Sequence, residues 1–199
     1  RQPWRTAVAL LGGSFADDAW IAQAASIWKE QPILALLHLT RQSKNTTPCT
    51  SAGRLFDAAA AIILGIDAVQ YEGQAAMLLE AVASPDSRDI YSLPLEAGHL
   101  DWRAMIRAIW ADRLAGIPPG VMSARFHRAL ASGIVTVAAR FPELPIVLAG
   151  GVFQNKLLVE MLVEMVDDRV RLKLPGRIPP NDGGLAAGQL AIAVMRERA

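Results

Sequence analysis

The chain has 199 residues, 52% hydrophobic and 20% charged, with 20 basic against 19 acidic side chains and a net charge of +1. A chain of this size buries a core without disulfide or metal staples, and its balanced charge excludes a nucleic-acid surface driven by bulk electrostatics. A single cysteine, Cys49, excludes an intramolecular disulfide and fits a reducing cytoplasm, and the apolar run at the start is too short for a membrane span. The expectation is a soluble, unexported protein whose thiol is buried or harmless.

Residues 4–11 read as a first helix, opened by Pro3 and ended by Gly12-Gly13. Asp17 or Asp18 caps a second, which carries Trp20, Ile21, Ala24 and Ile27 to Trp28. A third apolar stretch, residues 33–39, runs out in a polar loop over residues 41–48. Residues 54–64 place Leu55, Ala58, Ala59, Ile62 and Ile63 at the spacing of one buried helical face. Asp57 falls near the first turn of that helix, where the plain reading is a solvated acid favoured by the helix dipole. Tyr71-Glu72-Gly73-Gln74 then opens a helix through Leu79 and Val82. Gly73 at its mouth either leaves amides open to a ligand or simply ends a turn.

Residues 88–95 read as a strand or extended edge that Pro94 keeps at the sheet margin. Trp102, Ile106, Ile109 and Trp110 mark a helix ending near Gly116. Pro118-Pro119-Gly120 separates it from a longer helix bearing Phe126, Leu130, Ile134 and Val137. His127 beside that stripe reads as a satisfied, partly buried imidazole, and no histidine spacing makes a self-contained metal site.

The most informative stretch is residues 144–188. An apolar strand over residues 146–149 stops at Gly150-Gly151, and a helix follows with Leu157, Leu158, Met161, Leu162 and Met165. Residues 170–174 alternate as a second strand and lead past Pro175, Pro179 and Pro180 into Asn181-Asp182-Gly183-Gly184 and a last helix. A right-handed parallel connection puts both glycine turns on one sheet edge, at the carboxyl ends of strands, where open α/β sheets place ligands.

At the first turn, backbone amides suit an anionic group, and Asn155, about one turn into the helix, suits a phosphate or ribose. The competing reading is a tight turn that needs glycine for sterics. The pattern is neither a P-loop nor the Rossmann fingerprint. Asp182 is either the N-cap of the last helix or a hard-metal ligand, one carboxylate being too few for a site. About eight helices against two or three strands give a helix-rich α/β chain whose sheet is small for its size.

The stretches SAGRLFDAAAAIILGI, YEGQAAMLLE, ARFHRALA, VLAGGVFQNKLL and PPNDGGLAAGQ closely resemble, in order, the C-terminal part of the HypF family, the carbamoyltransferases of nickel–iron hydrogenase maturation. More distantly the chain is similar to the TsaD family, which makes threonylcarbamoyl-adenosine on tRNA. The resemblance implies that residues 1–199 are the second lobe of a domain of the actin, Hsp70 and sugar-kinase (ASKHA) superfamily, with a small, mostly parallel sheet.

It also implies a cytoplasmic, ATP-dependent carbamoyl transfer. Carbamoyl phosphate and ATP give carbamoyl-adenylate upstream, and the carbamoyl group passes to the C-terminal cysteine of a HypE-like partner. Carried over by motif, Asp57 and Gly73 are ribose contacts. Gly150, Gly151 and Asn155 form the phosphate and nucleotide turn, and Asp182 is a ligand of a divalent metal. In the family that metal also takes two histidines of an HxxxH motif in the first lobe, and no HxxxH occurs in this sequence. The expectation is therefore a lobe without its N-terminal partner lobe and without the acylphosphatase, zinc-finger and YrdC-like modules. Two other readings stand beside it. One is a TsaD-like lobe, against which the YEGQ wording argues; the other is a non-catalytic lobe that scaffolds or docks a partner.

Overall fold

The structure, a computed structural model, describes residues 2–43, 46–47, 49–84, 87–166, 172–174 and 176–197. At its centre lies α4 (Ala52–Leu64), packed on α1 (Pro3–Ser14), α5 (Gln74–Ala81), α6 (Arg103–Leu114) and α7 (Pro119–Ala138). Its residues from Phe56 to Ile63 are all buried, because four consecutive alanines let neighbouring helices approach from every side. Asp57 is therefore not the solvated first-turn acid expected from the sequence. The helix starts at Ala52, two residues early, so Asp57 falls in the second turn at 9% exposure, its Oδ2 2.8 Å from Arg54 Nη1.

Two further expectations change, one for steric reasons and one because the acids bond elsewhere. The first helix does not stop at Gly12-Gly13 but runs to Ser14. A Cβ on Gly12 would stand 2.5 Å from Leu37 Cδ1 of α3 (Ile33–Arg41), and one on Gly13 would stand 3.1 Å from Trp102, so these glycines allow close packing rather than ending the helix. The second helix, α2 (Ile21–Ile27), takes no side-chain cap from Asp17 or Asp18. Asp17 accepts from Ala19 N, and Asp18 pairs with Arg41 at the end of α3. Cys49 is exposed and accepts from Ser51 N at 3.4 Å.

The segment expected to be a strand over residues 88–95 pairs only at its end. There β1 (Leu95–Glu96) forms a hairpin with β2 (His99–Leu100) about Ala97 and Gly98, both at positive φ. Tyr91 is instead buried, its hydroxyl donating to Asp112 Oδ2 at 2.7 Å. Burial and that carboxylate push its pKa upward.

The C-terminal βαβα unit has the expected parallel order. β3 (Ile146–Val147) pairs with β4 (Leu172–Lys173), with α8 (Lys156–Met165) between them, and α9 (Leu185–Glu197) follows. Val170 and Arg171 of the expected second strand lie outside the described residues, as do Pro175 and, in the polar loop, Lys44, Asn45 and Pro48. No residue of α9 is buried. Among the described residues no helix is long and apolar enough to cross a membrane.

Candidate functional site

At the end of β3 the chain turns through Gly150, whose φ of 103° and ψ of 159° only glycine adopts without strain. Its N–H donates to Pro180 O at 2.5 Å, one residue before Asn181-Asp182. This bond stitches the two glycine turns together, so the single edge expected from the right-handed crossover is realised.

Beyond Gly150 the chain makes one 3-10 turn, Gly151–Gln154, before α8. Asn155 is consequently the N-cap of α8 rather than a residue one turn inside it. Its Oδ1 accepts from Leu158 N at 2.8 Å, and Glu80 Oε1 of α5 accepts from Leu157 N at 3.0 Å. These first-turn donors of α8 are thus satisfied within the protein, which leaves the glycine turn rather than the helix terminus to meet a ligand. The Asn155 amide is itself only 7% exposed, with Nδ2 3.0 Å from His127 Nε2.

The turn borders a groove of about 430 Å³ walled by Ser51 and Ala52 at the start of α4, by Leu130 and Ile134 of α7, and by Val152 and Phe153. A Cβ built on Gly150 would meet nothing within 4 Å, and one on Gly151 only Gln154 Oε1 at 4.0 Å. Steric need therefore fails to explain either glycine. Backbone conformation explains Gly150 but not Gly151, whose φ is not positive.

The second turn corrects the simpler reading of Asp182. Asn181 does the capping, its Oδ1 accepting from Gly183 N at 3.0 Å, and the Asp182 carboxylate is left exposed. Gly184 is required here, since a Cβ would lie 2.7 Å from Pro179 O. One exposed carboxylate does not make a metal centre, and the described residues hold no group of three or more His, Cys, Asp or Glu side chains that could bind an ion. On their own they do not fit a resident divalent metal.

The remaining site residues are less closely gathered. The start of α4, two turns before its middle, borders the groove, and Asp57 follows further along that helix. Gly73 is exposed, with φ of 82°, at the N-terminus of α5. That is about 10 Å along the helix axis from Glu80, which touches α8. Sequence reasoning overlooked Glu80 and Ser123, whose partners are tens of residues away, and gave His127 no part in the site.

This helix-rich α/β lobe, with a parallel strand pair and two glycine turns on one edge, shares the fold of solved HypF chains and with it the ASKHA class that the resemblance implied. The family described as carbamoyltransferase, Kae1-like domain, second subdomain matches residues 1–189, and the chain belongs to that family, the HypF carbamoyltransferases.

Among relatives, the chain is 34% identical to carbamoyltransferase HypF of Rhodobacter capsulatus over 98% of its own length and 26% of that protein. It is 36% identical to carbamoyltransferase HypF of Rhizobium leguminosarum bv. viciae over 100% and 27%. It thus spans about a quarter of the length of the curated relatives it matches. Full-length HypF, solved in a phosphate- and nucleotide-bound form, superposes on 97% of this chain and 31% of that one with a TM-score of 0.83 at 27% identity. The structure of T. kodakarensis HypF, at 22% identity and a TM-score of 0.81, supports the fold alone.

Proposed function

We propose that this chain is the nucleotide-binding half of an ATP-dependent carbamoyltransferase that acts on carbamoyl-adenylate. The observation that carries the reading is Gly151, a glycine with neither strained backbone nor crowded Cβ, in a turn bonded directly to the turn that bears Asp182. A bare backbone there lets a phosphate approach the amides closely. The relative solved with phosphate and nucleotide bound supports the same ligand class.

In the proposed reaction, the C-terminal cysteine thiolate of a HypE-like partner attacks the carbamoyl carbon. The C–S bond forms, the C–O bond to the adenylate phosphate breaks, and AMP leaves with that electron pair. Amides of the Gly150-Gly151 turn hold the phosphate and stabilise the charge it gains. Asn155 keeps the turn in place, Asp57 and Gly73 serve the ribose, and Asp182 is the carboxylate this chain offers to a divalent cation completed by an N-terminal lobe. Carbamoyl phosphate and ATP supply the adenylate upstream, and the setting is cytoplasmic.

Gly151→Val tests this reading in the natural polypeptide. A Cβ there meets only Gln154 Oε1, at 4.0 Å, so melting should stay within a few degrees, while calorimetric titration of a non-hydrolysable ATP analogue should lose the site at this turn and keep only that of the upstream ATP-consuming module. Unchanged binding would remove the turn from the site.

A further inference from the structure

The ARFHRALA segment reaches the groove only through Leu130, yet its histidine lies where the other motifs meet. His127 is fully buried. Its ring stands edge-on to Phe56 of α4, at 5.4 Å between centroids, and to Phe126, at 5.6 Å. Nδ1 lies 2.9 Å from Ser123 O and 3.3 Å from Ser123 Oγ. The Ser123 hydroxyl spends its one proton on Leu79 O of α5 at 2.5 Å, so its oxygen can only accept toward the ring.

Both neighbours of Nδ1 are therefore acceptors, and the ring proton sits there. Nε2 is left as a lone-pair acceptor facing Asn155 Nδ2 at 3.0 Å. The amide cannot be reversed, because its other end accepts from Leu158 N. Burial holds the imidazole below the ordinary histidine range, against the Ser123 carbonyl and the Glu80 carboxylate, which agrees with a neutral ring.

We propose that His127 is a positioning residue of the nucleotide turn: as a neutral, Nδ1-protonated imidazole it accepts from the Asn155 amide and thereby fixes the start of α8 and the placement of Gly150-Gly151 over the groove. The proposal rests on the reading of that turn as the nucleotide site. It accounts for an arrangement that plain core packing leaves unexplained, a directed chain of hydrogen bonds from Leu158 N–H through Asn155 and His127 to Ser123. One end of the chain is the start of α8, which directly follows the glycine turn, and the other is anchored in α7 and, through the serine hydroxyl, in α5.

The test uses the natural polypeptide with a non-hydrolysable ATP analogue titrated calorimetrically into the wild type and the Gly151→Val, His127→Met and His127→Gln variants. Met keeps the volume with only a weakly accepting thioether, whereas Gln offers a carbonyl oxygen near the place of Nε2. Loss of this one of the two nucleotide sites in Gly151→Val, a fall of about tenfold in its affinity in His127→Met and recovery to within about threefold in His127→Gln are expected. Wild-type binding in Gly151→Val sinks the nucleotide reading itself. Lost binding there, with His127→Met binding as wild type or with Met and Gln equally impaired, leaves that reading intact and overturns the positioning role. NMR of the wild type gives a check that needs no variant to fold: the Asn155 side-chain amide should show one proton protected from solvent exchange, and fast exchange of both would overturn the proposal.

Discussion

The cluster of α1, α4, α6 and α7 and the C-terminal segment from β3 to α9 are built on opposite terms. In the cluster, α4 buries eight consecutive residues and glycines admit neighbouring helices, as at Gly12 and Gly120. In the C-terminal segment a pair of two-residue strands carries the glycine turns, and α9 leaves Leu185, Leu190, Ile192 and Met195 more than half exposed. The same residue type thus serves two ends: Gly120 lies against backbone, Gly151 faces open groove. Stability concentrates in the first region and the proposed chemistry in the second. The two meet at His127, which couples the loosely packed turn to the rigid cluster.

That contrast can be broken by substitution, and the largest effect is expected in α4. Phe56→Ala removes a fully buried ring stacked edge-on to Phe126 at 5.0 Å and should cost about 3–5 kcal/mol in urea denaturation. A smaller loss, about 1–3 kcal/mol, is expected for Gly120→Ala, because its Cβ would lie 2.6 Å from Val82 O, a backbone atom that moves only with the segment bonded to α7. If Gly120→Ala were as harmless to folding as Gly151→Val, the division between packing glycines and open glycines would fail.

The junction gives a pH signature. The folded state protonates His127 less readily than the unfolded chain, so its contribution is fully present above the ordinary value of 6.5 and fades as pH falls below it. Between about pH 7.5 and 5.5 the wild type should therefore lose stability relative to His127→Gln. Parallel denaturation midpoints for the two proteins would show that the imidazole is not held neutral. The smallest effect belongs to the outer segment: Leu190→Gln on α9, at a position 66% exposed, should change stability by less than about 0.5 kcal/mol.

Much of this was legible in the sequence because its signals are local. The apolar spacing of residues 55–63, the helices after Pro3 and Pro118, and the strand, glycine turn and helix around Gly150-Gly151 depend on neighbours within a few positions. Local rules misled where one residue has two uses. Gly12-Gly13 reads as a stop but serves packing, and Asp182 reads as a cap when Asn181 beside it performs that task. The hairpin at residues 95–100 carried a turn signal in Ala97-Gly98, obscured by the Pro94 that precedes it.

By itself the sequence determined the helical elements, the parallel βαβα unit and the family, since periodicity, turn residues and ordered motifs are properties of the linear chain. Only the tertiary structure decided that Pro180 binds the Gly150 amide, that Glu80 satisfies the start of α8, and that His127 and Asn155 share a proton-directed contact 28 positions apart. Hydrogen bonds between distant segments depend on where helices pack, and packing is settled by the volume and shape of side chains in three dimensions, which no one-dimensional pattern records.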